Sequence, residues 1–149
     1  MIFNILKLQF LVIISYDLWF YFSHIILHMN FFKKIHKIHH SKNYKKLIFF
    51  DANKAHLIEN ILQISGAFIP LIFLNINIYL FISTCILIYF RGLLRHDYRI
   101  INIVGNHHIL HHKYPNYNYG EYWLDKLFGT KYPNENEYIY MVIFIYNNY

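Results

Sequence analysis

The 149-residue chain is short of charge and of cysteine. Charged residues make up 15% of it, against about 25% in an ordinary soluble domain. Only eight side chains are acidic. So little charge argues against an ordinary soluble domain and for a membrane protein. The single cysteine, Cys85, rules out an internal disulfide and any paired-cysteine zinc site. It lies in an apolar run and reads as an inert buried thiol. There is no Glu-x-x-His pair, which sets aside the carboxylate-rich kind of two-metal helical bundle.

What the chain does have is apolar surface: 56% of residues are hydrophobic and 21% aromatic. Residues 2–23 are nearly all apolar. As a helix, about 22 residues reach roughly 33 Å, enough to cross a bilayer. The run is long for a signal peptide, lacks a small-residue cleavage site and leads into a histidine pair, so a retained span is expected. Residues 57–74 and 76–90 form two shorter apolar runs, with Asn75 and Asn77 between them. They predict a helical hairpin that enters the membrane and returns. The expected fold is all-α and integral to the membrane. It has one long transmembrane helix plus a helical hairpin, with a cytoplasmic histidine-rich helical cap. One domain over 1–149 is expected, with 132–149 an unassigned tail.

Such a topology leaves residues 24–56 and 91–137 on one side. All 11 histidines lie there, and every one of the 14 lysines and arginines except Lys7. An excess of basic residues marks the cytoplasmic face. Placement of this kind accounts for the net charge of +6 without nucleic acid. No basic recognition helix or stacking motif stands out, and no nucleic-acid partner is expected.

The histidines need their own explanation. His108, His111 and His112 form H-x-x-H-H, and so do His36, His39 and His40. His24 and His28 are spaced i, i+4. On a helix, i, i+3 and i+4 share one face. A lone helical histidine is usually structural, but eight at ligand spacings in three clusters read as a metal centre. Imidazole suits iron, zinc, copper and nickel. Four ligands satisfy one zinc, so eight imply two metals, or one metal with ligands to spare. His107 points about 100° away from His108 on a helix and is left out. His56 and His96 stand singly at the edges of the hairpin. Each is open between ligand and interfacial histidine. Asp17 and Tyr21 precede His24 by seven and three residues. An aspartate this deep in an apolar helix is costly unless paired. Accepting the outer N–H of a metal-bound imidazole would pair it, a local capping contact being the alternative. Glu59, Asp97 and Asp125 would add negative charge from further out.

These motifs, in this order, resemble the fatty acid hydroxylase superfamily in its sterol desaturase-like branch. The resemblance rests on HIILH (24–28), HKIHH (36–40), AHLIE (55–59), RHDYR (95–99) and HHILHH (107–112). Asp17, Tyr21 and His24 match the lead-in. Asn118, Tyr119 and Gly120, then Trp123, Asp125, Phe128, Gly129 and Thr130, match the tail motif. The likeness runs from about residue 12 to 131. Leu57 stands where the family typically has proline, and Glu59 is kept. The resemblance implies a non-haem centre of two irons that uses O2 to hydroxylate or desaturate a membrane lipid, sterol or fatty acyl. It implies the ligands His24, His28, His36, His39, His40, His56, His96, His108, His111 and His112, supported from outside by Asp17, Tyr21, Glu59 and Asp125. It also implies an electron donor such as cytochrome b5 with its NAD(P)H reductase. No H-P-G-G haem motif occurs in this chain. An endoplasmic-reticulum-like or other internal membrane is expected, and a homodimer, because three helices make a thin core. The readings weighed against an oxygen-dependent oxidoreductase are a membrane zinc hydrolase, a metal transporter and a non-catalytic relative.

Overall fold

A computed structural model describes residues 2–141 of the protein, and among them every regular element is helical. Residues 142–149, the end of the unassigned tail, lie outside the described residues. Helix α1, Ile2–His28, has no glycine or proline to interrupt it. After a turn come α2, Lys33–His36, and a chain of short 3-10 turns. Then follow α3, Leu57–Ser65; α4, Ile69–Phe73; and α5, Ile78–Arg95. Three short helices close the chain: α6, Ile101–Val104; α7, His107–Lys113; and α8, Tyr122–Leu127.

Two helices are long and apolar enough to cross a membrane, Phe3–His28 and Ile78–Arg95. A soluble protein would bury such helices. Here Phe3 and Phe10 on α1 are 78% and 62% exposed, and Tyr79 on α5 is 79% exposed. So much bare apolar surface suits lipid and not water.

The expected hairpin is modified in its first limb. Residues 57–73 form a helix broken by a 3-10 turn at Gly66–Phe68. Two local causes are visible. Pro70 starts α4, where its missing N–H costs nothing. Gly66 lies flat against Trp19 of α1: a Cβ there would come within 2.3 Å of the indole. The second limb is also longer than the apolar run suggested. It continues to Arg95, so Arg91 and Arg95 belong to the helix and not to a polar loop. Asn77 caps its start, its Oδ1 accepting from the Tyr79 N–H at 2.9 Å.

Side-chain bonds tie these helices together. Trp19 Nε1 donates to the Leu62 carbonyl at 2.7 Å, and Ser23 Oγ to Gln63 Oε1 at 3.3 Å, joining α1 to α3. Arg91 on α5 forms an ion pair with Asp17 on α1, and its Nε lies 3.7 Å from Glu121. Arg95 also pairs with Glu121. Burial pushes the Glu121 carboxyl up, but Arg95 and Arg91 outweigh it and hold Glu121 below the ordinary range.

The histidine-bearing segments pack against one end of this helical unit. The 3-10 turns after α2 are fixed by Phe49 N donating to Asp97 Oδ2 at 3.3 Å and Tyr98 N donating to the Leu47 carbonyl at 3.2 Å. At Gly105 the backbone turns with φ +82°, which glycine adopts without strain. The chain then enters α7. Residues 137–139 return to this corner, where Asn106 bonds the Glu137 carbonyl at 2.7 Å and the Ile139 N–H at 2.9 Å.

Candidate metal centre

Nine histidines converge into two groups. The first holds His24, His28, His36, His40 and His111; the second holds His39, His96, His108 and His112. In each group one nitrogen per ring lies within 4.8 Å of all the others. The groups abut: the His40 and His112 ring centres are 4.5 Å apart.

Each element contributes by its own geometry. Helix α1 ends in His24 and His28, one turn apart, and both enter the five-histidine group. Helix α7 carries His108, His111 and His112, but does not send them to one place. His108 and His112 enter the four-histidine group, and His111 the other. The segment 36–40 divides the opposite way. His36 and His40 join the five-histidine group, and His39 the four. Its backbone is α2 followed by a turn into the 3-10 element His39–Ser41, so that motif does not lie on one regular helix. His96 comes from the C-cap of α5.

The facing atoms are Nε2. His24 and His36 approach to 3.1 Å, His36 and His40 to 3.0 Å, His40 and His111 to 3.1 Å, and His111 and His28 to 3.1 Å. In the second group His39 and His96 are 3.1 Å apart, and His96 and His108 2.9 Å. Hydrogen bonding does not explain the contact between His24 and His36. His24 Nδ1 donates to the Tyr119 carbonyl at 2.5 Å, His111 Nδ1 to the Tyr117 carbonyl at 2.7 Å, and His96 Nδ1 to the Gly92 carbonyl at 2.7 Å. His36 Nδ1 lies 2.9 Å from Glu59 Oε1. A neutral ring with its proton on Nδ1 has only a lone pair on Nε2. At the His24–His36 contact lone pair therefore faces lone pair at about hydrogen-bond distance, an arrangement that repels unless a cation lies between them.

Protonating the rings would not relieve this. Burial lowers His36 and His39 to about 4 and His40 to about 2. His96, His108, His111 and His112 are likewise pushed well below the ordinary value, by burial first and by neighbouring imidazoles second. Neutral imidazole is the form that binds metal. The spacing fits as well. Ligands about 2.1 Å from an ion stand about 3.0 Å apart at right angles and about 3.4 Å apart at tetrahedral angles. The observed 2.9–3.1 Å matches ligands at right angles, as in square or octahedral surroundings. The residues therefore fit two metal ions.

A fatty acid hydroxylase family model matches residues 9–130. The chain belongs to the fatty acid hydroxylase family. Comparison with curated proteins and with solved structures gives no match. Membership, the two apolar helices and the histidine groups together describe a membrane oxidoreductase with a site that could hold metal.

The other sequence candidates fall in different places. His56 enters neither group. Its Nδ1 accepts from the Ile58 N–H at 3.2 Å, capping α3 and leaving the ring at the margin. Asp17 accepts from no imidazole, because Arg91 pairs with it. Tyr21 hydrogen-bonds Thr130 Oγ1 at 2.9 Å, and its ring stacks on Phe128 and abuts Gly120. Glu59 does meet a ligand ring, His36. Asp125 works at one remove, accepting from the Tyr119 N–H at 2.8 Å and the Gly120 N–H at 2.9 Å. His107 turns away to Asp125, as its position beside His108 predicted. Sequence reasoning missed the Tyr117 and Tyr119 carbonyls, which carry no side-chain signature. It also missed Arg91 as the partner of Asp17. Opposite charges inside two apolar helices were the available signal.

A cavity of about 280 Å³ adjoins both groups, between α1, α3 and α5. His24, His36, His39 and His96 form one end of it. Phe20, Ile64, Ile88 and Leu93 form apolar wall. Asn60 and Gln63 add neutral polar groups.

Proposed function

We propose that this chain is an oxygen-dependent membrane oxidoreductase that hydroxylates or desaturates a sterol or fatty-acyl lipid. The observation that carries the proposal is the double convergence of imidazole nitrogens at one end of a cavity with a partly apolar wall. Two irons held by the nine histidines would supply the redox chemistry that activates O2 toward an unactivated C–H bond. The protein's own part is to hold the imidazoles neutral and aimed. Carbonyls of Tyr117, Tyr119 and Gly92 keep protons on Nδ1 and off the ligating atoms. The apolar wall admits a lipid chain from the side of the spans and excludes water from the reacting carbon. Asn60 and Gln63 can orient a neutral polar group of the substrate.

Zinc hydrolysis is disfavoured on the same geometry. A hydrolytic zinc takes three protein ligands and a water. Five converging imidazoles exceed that need. The transporter reading loses support because the histidines gather at one end of the helices instead of lining a path.

Electrons would come from an acidic carrier of cytochrome b5 type with its NAD(P)H reductase. Exposed Lys33, Lys34, Lys37, Lys45 and Lys46 lie on the segment that carries His36, His39 and His40, and suit such a partner. The same basic residues favour a cytoplasmic orientation, in an internal membrane such as the endoplasmic reticulum. A homodimer would thicken the small helical core.

The test is metal content and lipid turnover of the protein purified from iron-supplied cells. About two irons per chain, with a hydroxylated or dehydrogenated lipid formed only with O2 and a reductant, is the expected result. One zinc, no iron and no O2 uptake would overturn the proposal.

A further inference from the structure

The two histidine groups are braced unequally. In the five-histidine group, three rings have the nitrogen opposite the ligand atom engaged by an oxygen: His24 by Tyr119, His36 by Glu59 and His111 by Tyr117. In the four-histidine group one ring is so engaged, His96 by Gly92. Nδ1 of His39 and of His108 has no hydrogen-bond partner among the described residues, and neither nitrogen of His112 has one. The Lys54 backbone lies close enough to His39 to favour its protonated form, without reaching hydrogen-bond geometry.

An unbraced imidazole is free to carry its proton on either nitrogen and to swing. Half of those choices block the ligating atom. A metal must select the competent tautomer and orientation, and that selection weakens binding. Loss of one such outer partner typically costs 10- to 100-fold in metal affinity.

Two of the three braces come from one turn, residues 117–120. A backbone carbonyl is a good brace only if its turn is held, and Asn118 and Asp125 hold it. Asn118 adopts φ +59°, a conformation in which asparagine is tolerated better than most side chains. Its Oδ1 accepts from the Tyr132 N–H at 2.8 Å and the Tyr138 hydroxyl at 3.0 Å, and its Nδ2 donates to the His107 carbonyl at 3.1 Å. Its own N–H donates to the Thr130 carbonyl at 2.9 Å. Asp125 takes the N–H groups of Tyr119 and Gly120, the Thr130 hydroxyl at 2.7 Å and His107 Nε2 at 3.0 Å. Both side chains are fully buried, and neither touches a ligating nitrogen.

Resting on the metal-centre reading above, we propose that the two sites are inequivalent. The five-histidine group takes metal first and tightly. The four-histidine group is the weaker, exchangeable site. Asn118 and Asp125 are positioning residues for the tight site, through the carbonyls of Tyr117 and Tyr119.

Anaerobic Co2+ titration of the metal-free full chain in detergent tests this, read by visible absorbance and by bound metal after gel filtration. Two phases of one equivalent each are expected, the first at least about tenfold tighter. His24→Ala should remove the tight phase and His108→Ala the weak one. Asn118→Ala should weaken the tight phase about tenfold or more and leave the weak phase in place. Tyr138→Phe, which deletes one bond to Asn118, should weaken the tight phase by a smaller factor and serves if Asn118→Ala does not fold. Equal affinities, a tight phase that survives His24→Ala, or a tight phase untouched in both positioning variants would overturn the inference. No Co2+ uptake by the parent chain would overturn the metal centre itself, and this inference with it.

Discussion

The two H-x-x-H-H motifs look interchangeable in sequence and do mirror-image work in space. Each sends its first and last histidine to one group and its middle one to the other. For His36, His39 and His40 the pair goes to the five-histidine group; for His108, His111 and His112 it goes to the four-histidine group. On α7 helix geometry explains the split; in the 36–40 segment the turn between α2 and the 3-10 element does. At 100° per residue, positions i and i+4 lie about 40° apart, while i+3 lies about 60° to the other side of i. A face that wide reaches two histidine groups side by side. The spacing that looks like one three-histidine set is shared between the two groups, and each motif contributes to both.

The largest test of that mirror relation removes a ligand from each site at once. His111→Ala combined with His112→Ala should bring metal content close to zero, whereas His39→Ala alone should lower only the site it shares with His96, His108 and His112. Elemental analysis of the purified variants decides. If His39→Ala and His40→Ala deplete the same metal, the two motifs do not divide as described.

Both motifs also rely on α1 and α5 staying together, and the half-buried Asp17–Arg91 pair is a link between them. Asp17→Asn leaves Arg91 with Glu121 alone. It should cost about 1–3 kcal/mol, the range for losing a charge-assisted hydrogen bond, read as a lower melting temperature in detergent. Metal content at low temperature should hold while the melting point falls. An unchanged melting point would mean that Arg91 finds water or lipid phosphate instead.

A pH series compares the motifs without mutation. Burial holds His36 and His39 at about 4 and His40 at about 2, and drives His108, His111 and His112 down as well, from an ordinary 6.5. Above pH 6.5 neither the folded nor the unfolded metal-free chain protonates these rings. As pH falls from 6.5 toward 4, the unfolded chain takes up protons that the folded one refuses. Metal-free stability should therefore be full above 6.5 and fall progressively below it. A melting temperature flat across that window would show that the rings are hydrated when metal is absent.

The smallest effect is expected at His56, the one matched histidine outside both groups. His56→Ala removes a helix cap and should cost about 1 kcal/mol or less, with metal content unchanged. Loss of a metal in this variant would bring His56 into the ligand set.

Much of this was legible in the chain itself. Apolar run lengths gave one long span and a shorter hairpin, and α1 and α5 are the two described helices long and apolar enough to cross a membrane. Histidine spacing singled out eight of the nine rings that the structure gathers, because on α1 and α7 3.6 residues per turn converts i, i+4 into proximity. The hairpin's broken first limb was not legible, since Gly66 yields to Trp19 from a different helix. The pairing of Asp17 was missed for the same reason: its partner is 74 residues away.

By itself, then, the sequence determined the membrane helices, the imidazole inventory and the family, all of which are local patterns. Only the tertiary structure decided which ring serves which site, which carboxylate braces a ligand, and that two backbone carbonyls near residue 118 hold the rings in place. Those assignments depend on directions in space between distant segments, and a backbone oxygen has the same identity at every position of the sequence.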